Sequence, residues 1–545
     1  MTLVAMNWKQ GTPPEDFVGF AIEYKEPGGD RFFSLQNRLA FPDAHGKVNP
    51  NTQSTRLAPI QKFRWIHFPR NAELKGEFTY RVTPVFMDKS DQLSYGDPQE
   101  APIVLQRETY PGKLNVAFTR GFVSSQAFVK NYGADAIPKL IPSNAAKGLT
   151  FVPTHPKAKE ALAWMGFEAR SAILEVLDQA IADQTAQVRF IAYDLNEPDI
   201  VKRLEQLKTR VKVIIDDSDD HGATGSAENA AAKLLEKTAG KTNVKRQHMG
   251  SLQHNKTIIV DGAQTQTVVC GSTNFSWRGF FVQNNNALVL HGKKTVQVFQ
   301  AAFDAYWAHD DVAGFGATAA AKWNDLGLDG VSAQITFAPH TGKNVVLDDV
   351  AADMADNTKS SLFFSLAFLY QTPGALQNAI KKLAKDDIVF AYGISDHAVT
   401  GLQVLKSNGK IAVISPAELS KNLPEPFKAE PSGGSGVRMH HKFVVLDFDK
   451  PTARVYLGSF NFSTAADTKN GENLVLIRDR AVAVSYTVEA LRLFDHYEFR
   501  VAQSDAKLAR KALVLAKPPR KRGEKAWWNE DYTVVRKIRD RELFA

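Results

Sequence analysis

Histidine and lysine stand two apart in His254-Asn255-Lys256 and again in His440-His441-Lys442, and an aspartate, Asp261 or Asp447, follows each triplet at the same distance. On an extended strand, residues two apart share a face, so each histidine points with its lysine while Asn255 or His441 points away. The apolar runs Thr257-Ile258-Ile259-Val260 and Phe443-Val444-Val445-Leu446 come next, burying the strands and fixing both side chains. Downstream lie Gly271-Ser272-Thr273-Asn274-Phe275-Ser276 and Gly458-Ser459-Phe460-Asn461-Phe462-Ser463. This set suits a phosphodiester, whose negative charge repels anionic nucleophiles. Lys256 and Lys442, with the hydroxyls and amides of Ser272, Asn274, Ser459 and Asn461, can neutralise that charge as it redistributes in the transition state. A neutral imidazole is a competent nucleophile near neutral pH, and a protonated one a competent acid. Splitting the displacement into two steps lets one histidine act first as acid and then as base.

These pairs belong to a longer duplication. His254 and His440 are 186 residues apart, as are Thr150 and Thr336 at the heads of two Thr-Phe-x-Pro segments; Gly271 and Gly458 are 187 apart, and Phe303 and Phe494, each opening Phe-Asp-x-Tyr, 191. Blocks in the same order at a nearly fixed offset mark a tandem repeat, with one copy over residues 108–325 and the other over 326–545. In the first copy LTFVP, QVRFIAY and VKVIIDD read as strands, and KEALAWMGFEARSAILEVLDQAIADQ and DIVKRLEQLKTR as helices. The second runs ITFAP, a helix over Val346 to Lys359, SLFFSLAF, the helix ALQNAIKKLAK and DIVFAYG. Alternating strands and helices predict an α/β fold: two lobes of mixed sheets flanked by helices, related by a pseudo-twofold.

H-x-K-x4-D followed by G-S-x-N-F-S, present twice, resembles the phospholipase D superfamily over roughly residues 110–510. The resemblance implies that the two motifs meet across the pseudo-dyad in one active site, complete within one chain. One histidine attacks phosphorus and forms a phosphohistidine; the other protonates the leaving oxygen and then activates water. Tandem relatives commonly use the N-terminal copy, which makes His254 the nucleophile and His440 the acid and base. The segment NGENLVLI supplies Glu472, which the family uses to hold a catalytic imidazole; QNNNALVL places Asn286 at the matching position. The expected catalytic set is therefore His254, Lys256, Asp261, His440, Lys442, Asp447 and Glu472, with Ser272, Asn274, Ser459 and Asn461 on the phosphate. An imidazole nucleophile calls for no metal and no cofactor.

Residues 1–107 read differently. FVGFAIEY alternates, with Val18, Phe20, Ile22 and Tyr24 on one face; FTYRV does so through Phe78, Tyr80 and Val82, and FRWIHF alternates too. Short strands between Gly, Pro, Asn and Asp turns predict a small antiparallel β-sandwich, similar to a fibronectin type III or immunoglobulin module, that props up the enzyme or offers a surface to a protein partner.

Of the 545 residues 44% are apolar and 23% charged, the balance of a globular protein. No stretch approaches the roughly 18 apolar residues of a membrane span. The start shows no basic-then-apolar signal segment, and the single Cys270 excludes a disulfide framework. A cytoplasmic protein is expected. Its charge of +8 is a mild surplus favouring phosphate-rich partners. Lys517, Arg520, Lys521, Arg522 and Lys525, followed by Trp527, Trp528 and Tyr532, can track a phosphate backbone and stack bases, lie over anionic lipid, or form a structural strap. The run from Gly458 to Ile477 is similar to the short bacterial endonucleases of the superfamily and also to its mitochondrial cardiolipin-hydrolase branch. Nucleic acid is the favoured substrate, an anionic phospholipid surface the alternative, and a catalytically silent binding protein the remote third.

Overall fold

The computed structural model describes residues 1–121, 131–395, 439–508 and 513–545 apart from positions 9, 50, 134 and 387, together with residues 128 and 412–414. The chain forms two compact units: Met1–Arg107 with Glu498–Ala545, and Glu108–Leu405 with Lys410–Tyr497.

The larger unit holds both repeats as mixed sheets flanked by helices. The first sheet has seven strands in the order Leu114–Phe118, Asn286–His291, Gln266–Gly271, Thr257–Asp261, Gln187–Ala192, Val211–Ile215, Val244–Arg246. Its first four pairings are antiparallel and its last two parallel. The second sheet repeats the order with Ser332–Ala338, Glu472–Arg478, Arg454–Gly458, Lys442–Leu446, Ser361–Leu366, Phe390–Ile394 and Ala412–Ile414, and adds the short edge strand Asn324–Asp325. The strands that follow each His-x-Lys lie fourth in this order, so they are flanked on both sides. Ile258, Ile259 and Val260, like Val444, Val445 and Leu446, are fully buried, and each such side chain contributes about 1.5–3 kcal/mol. Helix Ala158–Ala182 buries Ala161, Met165, Ala169, Ile173, Val176, Leu177 and Ala180 at three- and four-residue spacing against the first sheet.

One expected repeat pair is not a structural pair. Ser332–Ala338 pairs with Glu472–Arg478, as Leu114–Phe118 pairs with Asn286–His291. The counterpart of Thr336-Phe337-Ala338-Pro339 is therefore Leu114–Phe118 and not Thr150-Phe151-Val152-Pro153. With the sheet edge already taken, residues 145–150 form a 3-10 turn, Phe151 packs edge-on against Trp277, and Val152 faces solvent.

The smaller unit is all-β in its N-terminal part. Phe17–Lys25 pairs antiparallel with Glu77–Met87, which also pairs with Leu93–Tyr95 and Gln99–Val104; Thr2–Ala5 pairs with Arg64–His67 in a second sheet. The expected single apolar face breaks at Val18. A register shift between Phe17 and Gly19 turns Val18 toward Ala21, Val85 and Met87, while Phe20, Ile22 and Tyr24 join Phe78 and Tyr80. Gly19 has φ +131°, and a Cβ there would sit 2.6 Å from the Ile60 carbonyl oxygen, so this bulge requires glycine.

The basic-aromatic segment, expected in the second lobe, folds with this module. Trp528 and Ala526 sit in its core. Trp527 stacks on Phe63 at 5.3 Å and donates its indole N–H to the Phe17 carbonyl at 3.0 Å. Lys517 and Arg520 pair with Asp91 at 2.8 and 3.0 Å. Rings held this way are not presented to nucleobases, which overturns the stacking track. Among the described residues no helix is long and apolar enough to cross a membrane.

Candidate active site

His254 and His440 come from different lobes and face each other with ring centroids 6.4 Å apart and planes at 69°, inside the expected separation of about 5–7 Å for groups flanking one phosphorus. Matching short bridges hold the two segments. Gln253 bridges Gly471 and Asn284 bridges Met439; the His254 N–H donates to the Gly471 carbonyl at 2.8 Å, and the His440 N–H to the Asn284 carbonyl at 3.2 Å. Each lobe thus clamps the backbone of the other's His-x-Lys segment.

The partners of the imidazoles cross over in the same way. His254 Nδ1 lies 2.9 Å from Glu472 Oε2 of the second lobe, and His440 Nδ1 lies 2.8 Å from Asn285 Oδ1 of the first. A carboxylate or carbonyl oxygen here only accepts, so Nδ1 carries the proton and Nε2 is turned toward the cleft. The first-lobe match to Glu472 is therefore Asn285, one residue before the expected Asn286. The strand register agrees, because Gly271 pairs with Ala287 as Gly458 pairs with Leu474. Asn286 corresponds instead to Asn473. Asn473 donates to Asn255 Oδ1 at 2.8 Å and Asn286 lies 3.4 Å from His441 Nδ1, so these amides tie down the residues that point away from the cleft.

Both lysines share their histidine's face, as the alternation predicts. Lys256 donates to the His254 carbonyl. Lys442 donates to the His440 carbonyl at 2.9 Å, and its Nζ lies 3.1 Å from His440 Nε2. Aromatic rings wall the two sides: Tyr193 lies 4.7 Å from His254 with Lys256 over its face at 4.9 Å, and Phe368 lies 6.4 Å from His440 with Lys442 at 5.8 Å.

Burial sets the electrostatics. It lowers the pKa of Lys256 to about 8 against the pull of Glu472, Asp194 and Asp216, and drives Lys442 well below the ordinary lysine value, with Lys256 adding repulsion. Burial also lowers His254, where the Glu472 carboxylate works in the opposite direction. His440 meets the neutral Asn285 amide instead; burial and then the two lysines push it far below the ordinary imidazole value. The site gathers two lysines and two histidines in desolvated surroundings, where the charged form of each is disfavoured.

The family described as cardiolipin synthase, PLD-like domain, matches residues 176–307 and 356–494, once in each lobe. The chain belongs to the phospholipase D superfamily. Proteins described as phospholipase D from Rickettsia felis and Rickettsia prowazekii are each 47% identical to it over 47 residues, 9% of this chain and 22% and 21% of theirs, so the chain spans about a fifth of the length of these curated relatives. Among solved structures, phosphatidylserine synthase from Haemophilus influenzae is similar at 14% identity and a TM-score of 0.40, over 70% of this chain and 93% of that one. Nuc from Salmonella typhimurium, a phospholipase D family member, is similar at 22% identity and a TM-score of 0.17, over 32% and 95%.

The superfamily motif divides, in this chain, into residues at the cleft and residues that build it. Asp261 and Asp447, expected in the catalytic set, stand at the far ends of their strands. Asp261 accepts from Gln300 at 2.8 Å. Asp447 is fully buried and accepts the N–H groups of Lys359 and Ser360, both at 2.8 Å. Each stands five positions beyond its lysine, about 16 Å at the usual strand rise, so neither reaches phosphorus. Ser272 and Ser459, expected on the phosphate, are turned inward. Ser272 Oγ donates to Asn285 Oδ1 at 2.9 Å and accepts the Asn286 N–H at 3.0 Å; Ser459 Oγ accepts the Asn473 N–H at 3.0 Å. Ser272 therefore holds the amide that holds His440. The last serines of the motif, Ser276 and Ser463, cap short helices through Gly279 N and Ala466 N. Asn274 and Asn461 each keep a buried, unpartnered side-chain oxygen.

Sequence reading missed Asn285, Tyr193 and Phe368. Aligning Ala287–Leu290 with Leu474–Ile477 gives the correct register for Asn285. The two rings lie just beyond the strands Gln187–Ala192 and Ser361–Leu366, where no local pattern distinguishes a cleft wall from core.

Proposed function

We propose that the protein is a phosphodiesterase that works through a phosphohistidine on His254. The observation that carries this is the pair of buried imidazoles 6.4 Å apart, one on a carboxylate and one on an amide. His254 Nε2 attacks phosphorus with its lone pair, leaving the ring with a positive charge that Glu472 stabilises through Nδ1–H. The phosphorus–oxygen bond to the leaving group breaks, and that oxygen takes a proton from His440 Nε2. The substrate's own negative charge offsets Lys256 and Lys442, favouring the protonated form of His440 that the free site resists. Water then gives a proton to His440 Nε2 and its oxygen attacks phosphorus; the nitrogen–phosphorus bond breaks and His254 returns neutral. Every proton is carried by an imidazole, so the reading includes turnover independent of divalent metal.

The substrate we assign is nucleic acid, supported by the basic surplus and by the likeness of residues 458–477 to the endonuclease branch. A second reading, a phospholipid head group, is supported by the cardiolipin synthase description of the matching family and by the rickettsial relatives described as phospholipase D. Plasmid, single-stranded DNA, RNA and mixed phospholipid vesicles, each assayed in EDTA with wild type and His254→Ala, decide between them. DNA or RNA cleavage lost in the variant supports the nuclease reading, and head-group release alone moves the assignment to lipid. If EDTA abolishes turnover and magnesium restores it, the phosphohistidine route is wrong.

A further inference from the structure

Tyr193, which packs on His254, also packs on another histidine that the reaction does not use. His221 Nδ1 is 2.8 Å from Asp216 Oδ2, and its Nε2 is 3.1 Å from Asp194 Oδ1. Two carboxylates on opposite nitrogens both demand protons, so this ring is an imidazolium. Burial opposes that charge, but Asp194 and Asp216 outweigh it and raise the pKa to about 10. Asp216 is itself fully buried and fixed: Oδ2 accepts the Ser218 N–H at 3.0 Å, and Oδ1 accepts the N–H of Gln253 at 2.6 Å. Gln253 immediately precedes His254. The Tyr193 ring makes an edge contact with both histidines, 4.4 Å from His221 and 4.7 Å from His254. Two routes therefore run from His221 to the nucleophile, one through the tyrosine ring and one through Asp216 to the backbone.

The duplication shows what is particular to this lobe. Asp220-His221-Gly222-Ala223-Thr224-Gly225 recurs in the sequence as Asp396-His397-Ala398-Val399-Thr400-Gly401, so the histidine belonged to the repeated unit. By sheet register Ile191 pairs with Thr257 as Ser365 pairs with Phe443, which puts Phe368 where the first lobe has Asp194. The carboxylate on the Nε2 side is thus found beside His254 and replaced by an apolar ring beside His440.

We propose that His221, clamped between Asp194 and Asp216, is a positioning residue for His254: it backs the Tyr193 ring against the imidazole and fixes the Gln253 amide. This rests on the reading of His254 as nucleophile. An error of about 1 Å in a near-attack geometry costs about 100-fold in rate, so the clamp acts on the attack step and not on substrate binding. Two members of the clamp also sit in a second cluster, in which ligand atoms of Asp194, His221 and Glu228 lie within 4.8 Å of one another, a spacing that a metal ion could use instead.

The test uses the full chain with His221→Gln and, should that variant fold poorly, Asp194→Asn, which leaves the Asp216 side of the clamp in place. Quench-flow with bis-p-nitrophenyl phosphate reads the first p-nitrophenol burst, and carbon-13-labelled histidine reads the ring-current shift that Tyr193 imposes on His254. The expected result is a burst slowed about 10- to 100-fold with KM within twofold, together with a displaced His254 resonance. An unchanged burst and an unchanged resonance in a folded variant overturn the proposal. So does stoichiometric zinc or manganese in the purified wild type that is lost from His221→Gln, which would make the cluster a metal site. If wild type shows no burst on any diester, the phosphohistidine reading falls, and the His254 resonance still decides the clamp.

Discussion

His254 and His440 occupy matching places in two copies of one fold, yet one Nδ1 meets a carboxylate and the other an amide, and in the proposed reaction that single charge separates their tasks. A phosphorylated imidazole is cationic, so the ring on Glu472 is suited to carry phosphorus, and the ring on Asn285 to pass a proton. Glu472→Gln keeps a hydrogen bond but loses the charge; kcat on a small diester should fall on the order of 100-fold or more, with KM little changed. Equal kcat in the two proteins would remove Glu472 from the mechanism. In the same cleft, Lys256 must be charged to hold phosphate, and burial lowers its pKa to about 8. The ammonium form is present below that pH and lost above it, so kcat/KM should fall as pH rises through about 8. Lys256→Arg, whose guanidinium stays charged, should move the fall upward; a profile flat to strongly alkaline pH in wild type would refute the role. Both histidines and both lysines were legible in the sequence, because an alternating pattern fixes which side chains share a face. Asn285 was not, since a count one residue out along a strand exchanges the cleft for the core.

At the scale of strands and loops, the superfamily's aspartates and serines are fastenings. Asp447 has φ +53° and ties the backbone before Ser361 to the end of its own strand, accepting Lys359 and Ser360 N–H groups at 2.8 Å and the Thr452 hydroxyl at 3.1 Å. Asp447→Ala removes the buried acceptor shared by these part-buried donors and should cost about 2–4 kcal/mol, read by denaturant melts. Asp447→Asn, which tolerates the positive φ, should cost less. The surviving folded Asp447→Ala enzyme should turn over a small diester within about twofold of wild type. Asp261→Ala removes one contact, to Gln300, and should cost no more than about 1 kcal/mol. A large kcat loss at unchanged stability in either variant would return these residues to the chemistry. Long buried strands and amphipathic helices could be read locally because burial writes a period into the sequence. Thr150-Phe151-Val152-Pro153 misled because a short apolar run looks the same paired or packed as coil. What decides is a sheet edge more than thirty residues away, and that edge belongs to Leu114–Phe118.

For the chain as a whole, every residue of the proposed site lies between 193 and 472, while the C-terminal residues complete the β-module that begins the chain. Neither end of that module signals the other in sequence: an alternating β pattern gives no sign of a missing core segment, and a tail of lysines, arginines and tryptophans has the same composition whether it binds a polyanion or closes a fold. The structure separates these through its rings. Trp527 lies 5.6 Å from Phe17 and stacks on Phe63, while Trp528 is buried against Tyr532. Trp527→Ala keeps all five neighbouring cations but opens a cavity beside Phe17 and Phe63, and should destabilise the module by about 3 kcal/mol. Calorimetry should show one melting transition moved down. Hydrolysis of bis-p-nitrophenyl phosphate, a substrate small enough to need only the cleft, should stay within about twofold of wild type. Affinity for single-stranded DNA, and its slope against salt, should be unchanged at temperatures where the module stays folded, because no positive charge is removed and the ring stacks on protein. Loss of DNA affinity at an unmoved melting transition would mean that Trp527 leaves Phe63 to meet bases, and the segment would have to be read again as a nucleic-acid track.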